Sequence, residues 1–199
     1  MRLFLFFLLF AFGFGNSCPK YNRVKQFGGW KDLDLDGQNT RTEVLIEESL
    51  APVKFKDANE TKILSGKWHC PYSNKNYTAP ESLDIDHLVP LKEVYESGAW
   101  NWTQERRVKY ANFLERKNHL IAVYYKENRS KGDQDPGEWL PSNEAYHKQY
   151  VRDWVDVKAR WGLTVDSDEV VEIRKVLGTK SAKTWLKNVK MAPETDCED

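Results

Sequence analysis

The feature that most constrains the fold is a pair of short apolar runs with polar residues crowded at their ends. Leu83 to Leu88 alternates apolar and polar residues and stops at Pro90, the pattern of a short strand. Leu120-Ile121-Ala122-Val123 is a second short strand, and the stretch after it, polar at first and holding Pro136, fits a short helix and a turn over residues 126–138. Three polar clusters mark the ends: Asp84-Ile85-Asp86-His87 in the first strand, Asn118-His119 before the second, and Asn128-Arg129-Ser130-Lys131 in the helix. Adjacent strand residues point to opposite faces. Asp86 and His87 can therefore act together only if the strand end bends, and Pro90 marks such a turn.

The rest of the chain reads mostly as helix. Thr40 followed by Glu43 is a capping box, with Val44, Leu45, Ile46 and Leu50 behind it. Residues 66–80 read as loop, Leu91 to Ser97 as a helical turn, and Thr103 caps a helix carrying Val108, Ala111 and Leu114. Ser142 is the expected N-cap of a longer helix on which Tyr146, Tyr150, Trp154, Val157 and Trp161 recur at three- and four-residue spacing; Gly162 stops it. That aromatic stripe is a core face rather than a ligand site. Two further helices follow, around Val170 to Leu177 and Ala182 to Val189. The expected fold class is α+β: a small ββα core at about residues 82–135, with two short antiparallel strands and a helix, wrapped by several α-helices, the last of them within 142–190.

Leu3 to Phe12 holds no polar residue, follows Arg2 and precedes Gly13, Phe14 and Gly15. This is the pattern of a signal peptide at residues 1–15, too short to span a bilayer. The expected product is a secreted or periplasmic protein of residues 16–199 in a single domain, with a lipid anchor on Cys18 as the lower-ranked outcome because Gly15-Asn16-Ser17 is a poor lipobox. Export favours one disulfide among Cys18, Cys70 and Cys197, whose pairing stays open. Lys and Arg number 30 and Asp and Glu number 30, which excludes a polybasic binder with a domain-wide positive field.

The motifs DIDHLVPL, SGAWNW and NRSKGDQDPGEWLP, with DGQNTRTEVL upstream, resemble the HNH endonuclease family and its exported, GmrSD-like branch, over roughly residues 28 to 165. The resemblance implies a ββα-metal core. It implies that His87 is the general base, that Asp86 and Asn128 ligate a divalent ion, that Asn118 holds the base and its loop, and that Lys131 accompanies Asn128. Many relatives carry His where this chain has Asn128, and the zinc-binding Cys pairs of some are missing. The residue chemistry agrees: phosphodiester hydrolysis needs a base and positive charge, and Mg²⁺ or Mn²⁺ takes oxygen ligands such as Asp86 and the Asn128 amide. Arg129, Lys131 and Arg41 are candidate phosphate contacts, as are Arg106, Arg107 and Lys109 before the second strand, where a solvated helix face competes. Asp84 is a supporting or alternative ligand, and His119 could share the role of Asn118.

Asp32-x-Asp34-x-Asp36-Gly37, followed by Glu43, satisfies the D-x-[DN]-x-[DN]-G-x₅-E pattern of a calcium loop. Asp32, Asp34, Asp36 and Glu43 would face the ion, with the Gln38 backbone carbonyl beside them, in an EF-hand-like loop over 32–43. A structural Ca²⁺ is expected there. The expected function is a secreted, metal-dependent HNH endonuclease cutting DNA, with RNA as the second candidate, at low sequence specificity. The alternative is a secreted, non-catalytic, calcium-dependent binding or surface protein on a degenerate scaffold of the same kind. Oligomeric state is not legible.

Overall fold

The computed structural model describes residues 19–192. The expected signal peptide, the Cys18 anchor and the Cys197 end of a disulfide lie outside the described residues. Helix α1 covers Arg23–Phe27 and α2 Thr40–Glu47. Strands β1 (Lys54–Phe55), β2 (Ile63–Ser65), β3 (Trp68–Cys70) and β4 (Lys75–Tyr77) form two small antiparallel pairs. Strand β5 (Leu83–His87), α3 (Leu91–Glu96), α4 (Gln104–Ala111), β6 (Leu120–Tyr124) and α5 (Tyr125–Lys131) follow. Then come α6 (His147–Trp161), β7 (Thr164–Val165), α7 (Ser167–Leu177), α8 (Thr179–Leu186) and β8 (Lys190–Met191), with β7 and β8 paired in parallel. The fold is mixed α+β, with eight α-helices around short strand pairs among the described residues.

At its centre is the expected ββα unit. Strands β5 and β6 are antiparallel in the register Leu83↔Tyr124 to His87↔Leu120, and α5 leaves β6 without a connecting loop. The two faces of this ribbon bury different cores. Leu83, Ile85, Leu120 and Ala122 pack with Val44, Leu45 and Trp68, under α2. Ile121 and Val123 join the larger core with Tyr72, Tyr150 and Trp154, on the α6 side. Alternation along β5 therefore sends Asp84 and Asp86 toward the second face and His87 toward the first.

Helix α6 buries Tyr150, Val151, Trp154, Val155, Val157 and Trp161, each full burial contributing roughly 1.5–3 kcal/mol of transfer free energy. Gly162 ends it in the left-handed region, at φ 71° and ψ 30°, where a Cβ would be strained. Lys158, fully buried, joins Glu93 of α3 to Glu169 of α7 and braces the three helices.

Several local readings are corrected. Thr40 does not cap α2: Asn39 does, accepting from Thr42 N, while the Thr40 hydroxyl donates to Lys31 O and Asn112 Oδ1. Thr103 caps α4 as expected. Ser142 does not cap α6, which starts at His147 after a 3₁₀ turn at Glu144–Tyr146; its hydroxyl donates to Tyr72 O and Glu127 Oε1 instead. Residues 66–80 hold the β3–β4 hairpin, whose Trp68 and Cys70 are buried against the ribbon. Among the described residues Cys70 has no disulfide partner, and its sulfur accepts a hydrogen bond from Tyr124 N at 3.2 Å. Among the described residues no helix is long and apolar enough to cross a membrane.

Candidate active site

A cavity of about 320 Å³ opens over the end of β5, lined by Asp86, His87 and Asn128 together with Tyr21, Arg23 and Lys92. Three of the residues singled out in the sequence thus share one pocket, although Asp86 and His87 leave the strand on opposite faces.

His87 is held on three sides. Its Nε2 lies 2.9 Å from Ala111 O. A carbonyl only accepts, so Nε2 carries the proton and the lone pair resides on Nδ1. The ring stacks on Trp30, with centroids 5.1 Å apart and planes 5° from parallel, and on its far side lies near Tyr110 at 6.3 Å. Burial lowers its proton affinity to a pKa of about 3, against the opposing hydrogen bond to Ala111 and aided by the charges of His119, Arg23 and Lys131. The imidazole is neutral at neutral pH.

What fixes Trp30 was not legible in the sequence. Asn112, buried, accepts from Lys31 N at 2.8 Å and from the Thr40 hydroxyl at 3.0 Å, and its amide donates to Gly29 O at 3.4 Å. It follows Ala111 directly, so one turn at the end of α4 both receives the His87 proton and ties down the loop carrying the stacking indole. Asn118 was expected to hold the base. Its amide instead donates to Asp153 and Asp156 of α6 at 3.1 and 2.9 Å, because its side chain leaves the turn toward that helix. The adjoining backbone does reach the site, with Leu88 N donating to His119 O at 3.1 Å. His119 is corrected to a core residue. It is fully buried among Tyr110, Phe113 and Trp161, donates through Nε2 to Tyr110 O at 2.7 Å, and has a pKa lowered to about 4 by burial.

Asp86 and Lys131 form a buried ion pair. Lys131 Nζ lies 2.7 and 2.6 Å from the two carboxylate oxygens and 2.9 Å from His87 O, and the Tyr72 hydroxyl donates to Asp86 Oδ2 at 2.6 Å. Lys131 is fully buried and Asp86 is 4% exposed. Burial pushes the carboxyl up and the ammonium down, and each charge opposes that push on the other. Lys131 is therefore not a substrate contact: its three donors are committed inside the protein. Tyr72, from the hairpin turn between β3 and β4, is a further site residue without a sequence signal.

Asn128 sits on α5 facing the cavity, and its Nδ2 lies 3.4 Å from Asp84 Oδ2. Asp84 also pairs with Arg129 Nε at 3.4 Å, while the Arg129 guanidinium lies over the Tyr125 ring. Asp84 thus orients α5. Arg41 is corrected: it donates to Pro80 O and Leu83 O at 3.2 and 3.0 Å, bracing the entry to β5 rather than meeting substrate. Arg106 and Arg107 are likewise spent on carbonyls, of Trp161 and of Ala99 and Trp102.

The donor set fits a hard divalent cation. Asp86 Oδ1 has one protein donor and a second lone pair, and Asn128 Oδ1 has no partner among the described residues; both residues line the cavity. A second acidic group lies in the loop after Trp30. Carboxylate oxygens of Asp32, Asp34 and Asp36 come within 4.8 Å of one another. Asp32 accepts from Leu35 N and Gly37 N, and Asp36 accepts from Gln38 N. Gly37 adopts φ 94°, the conformation the sharp turn requires. Glu43 Oε2 is buried without a partner among the described residues, and burial followed by the charges of Asp34, Asp36 and Asp32 raises its pKa. The three clustered carboxylates fit a calcium ion, while Glu43 is not among the oxygens brought within 4.8 Å.

Residues 22–176 match the family described as GmrSD restriction endonucleases, C-terminal domain. The chain is 41% identical over 160 residues to an "Uncharacterized secreted protein" of Arthroderma benhamiae, covering 80% of this chain and 75% of the relative. No solved structure matches the chain.

Proposed function

The chain belongs to the family of GmrSD restriction endonuclease C-terminal domains, and on that premise we propose that it is a secreted, divalent-metal-dependent endonuclease of the HNH type. The observation that carries the reading is the convergence of His87, Asp86 and Asn128 on one cavity, with the His87 lone pair on Nδ1. The Nε2–H bond to Ala111 and the Trp30 stack hold the ring, so Nδ1 can accept a proton from water without reorienting. Asp86 and Asn128 would hold Mg²⁺ or Mn²⁺, which when bound supplies positive charge to the scissile phosphate. Lys131 holds Asp86 and the His87 carbonyl in place, and Arg129 is positioned on the α5 surface to meet the backbone of DNA or RNA. Phosphate contacts of this kind give low sequence specificity. Export is supported by the relative named as secreted and by the signal-peptide pattern of residues 1–15. Asp32, Asp34, Asp36, Glu43 and the Gln38 carbonyl are proposed to hold a structural Ca²⁺.

A non-catalytic, calcium-dependent binding protein is the competing reading, favoured by the Asp86 carboxylate already carrying Lys131 on both oxygens. Plasmid nicking separates the two. Wild-type protein with Mg²⁺ or Mn²⁺ is expected to nick, and EDTA or His87→Ala is expected to remove at least about 10²-fold of the rate, the usual share of a positioned base. Equal nicking by His87→Ala would sink the mechanism, and no nicking with either ion would favour the binding protein.

A further inference from the structure

The cavity beside His87 has a wall that the ββα unit does not supply. Tyr21 and Arg23 form it. They belong to residues 19–27, a segment fixed at both ends. The Tyr95 hydroxyl donates to Pro19 O at 2.9 Å, and the Tyr21 ring packs on Tyr95 and Phe27 at 5.5 and 6.3 Å. Gln26 accepts from Asn22 N at 2.8 Å and donates to Lys20 O at 3.3 Å, and Phe27 is fully buried. The segment thus holds Arg23, itself exposed, at the cavity rim.

The other cations near the cavity each have a carboxylate partner, Arg129 through one nitrogen only. Lys131 is locked to Asp86; Lys92 pairs with Asp133 at 3.3 Å and Glu96 at 3.6 Å; Arg129 pairs with Asp84. Among the described residues Arg23 has no carboxylate or carbonyl partner. A guanidinium presents five N–H donors in a planar fork that matches two oxygens of a phosphate. Left unpaired at the mouth of the cavity that His87 lines, it fits an anion that approaches the imidazole.

We propose that Arg23 is a phosphate clamp of this site, gripping the nucleic-acid backbone through two phosphate oxygens while His87 faces the bond to be cut. The reaction rests on the endonuclease reading; the anion contact does not. Arg23 meets phosphate and not base edges, so it raises affinity for every sequence alike.

The test is fluorescence anisotropy of a fluorescein-labelled oligonucleotide with the mature protein in EDTA, where no turnover occurs, over a range of salt. Arg23→Ala is expected to raise Kd about tenfold and to flatten the dependence of log K on log salt by about 0.9, one phosphate contact. Arg23→Lys keeps the charge and loses the fork, so it should keep the slope and bind with intermediate affinity. A thermal melt controls for folding and should match wild type. Unchanged Kd and slope in Arg23→Ala, or a wild-type protein with no salt-dependent binding, overturns the clamp. Arg23-dependent binding by a protein that never nicks plasmid upholds the clamp and defeats the endonuclease reading. Nicking by wild type alongside Arg23-independent binding defeats the clamp alone.

Discussion

Replacing Lys131 with methionine deletes the cation on Asp86 while keeping a side chain of similar length in the space. Three contacts disappear with the ammonium, at 2.7 and 2.6 Å to Asp86 and 2.9 Å to His87 O. Neither group can turn to water, since Lys131 is fully buried and Asp86 is 4% exposed. An exposed pair would be worth ~0–1 kcal/mol. Removing one partner of a buried pair instead leaves an uncompensated charge and costs about 3–5 kcal/mol. The Tyr72 hydroxyl, 2.6 Å from Asp86 Oδ2, remains as a neutral donor, which puts the expected loss near the lower end, about 3 kcal/mol. Urea unfolding followed by the fluorescence of the eight tryptophans measures it. With a slope of about 2 kcal/mol/M, the midpoint should fall by about 1.5 M. The double variant Asp86→Asn/Lys131→Met leaves no buried charge at this position and is expected to recover most of the loss. A single variant that loses less than about 1 kcal/mol, or a double variant no more stable than the single, would refute the buried ion lock.

Two further outcomes follow from the charges. Glu48 Oε2 accepts from Ala122 N at 2.9 Å, and burial raises its pKa from 4.5 to about 7. Its folded pKa lies above its unfolded one, so the stability it contributes is complete below pH 4.5 and is lost as pH rises through about 7, a decrement of about 3 kcal/mol. Glu48→Gln should therefore match wild type near pH 4.5 and exceed it at pH 8 by roughly 2–3 kcal/mol in urea melts; the same pH slope in both proteins counts against the assignment. For the acidic loop, Ca²⁺ at about a hundredfold over a Kd of ~10⁻⁴ M stabilises by about 2.7 kcal/mol, a Tm rise of about 5–11 °C. Asp34→Asn should remove most of that rise, and an unchanged Tm between calcium and chelator would dismiss the ion.

The ribbon could be read from short-range pattern, and the chemistry at its ends from the family resemblance. Alternation in Leu83–Leu88 and the apolar run Leu120–Val123 depend on neighbours one to four residues away, and they recur in the structure as β5 and β6. The aromatic stripe of α6 was legible for the same reason. Capping was less so. Asn39 and Thr40 are both competent caps, and what decides between them is Thr40 being drawn to Asn112, 72 residues away.

Sequence by itself determined which residues could do acid–base and metal chemistry, and which lay on adjoining elements. Only the tertiary structure decided what each of them contacts. Lys131 and Arg41 have the chemistry of phosphate contacts but are spent on Asp86 and on backbone carbonyls, because folding buries them where an uncommitted charge would be too costly to desolvate. Trp30, Tyr72, Ala111 and Asn112 surround His87 and Asp86 from segments that carry no local signal of a site, and Arg23 reaches the same cavity from the N-terminal segment. Local pattern reflects covalent geometry and short-range packing; partners brought together by chain crossings come only from the free energy of the whole fold.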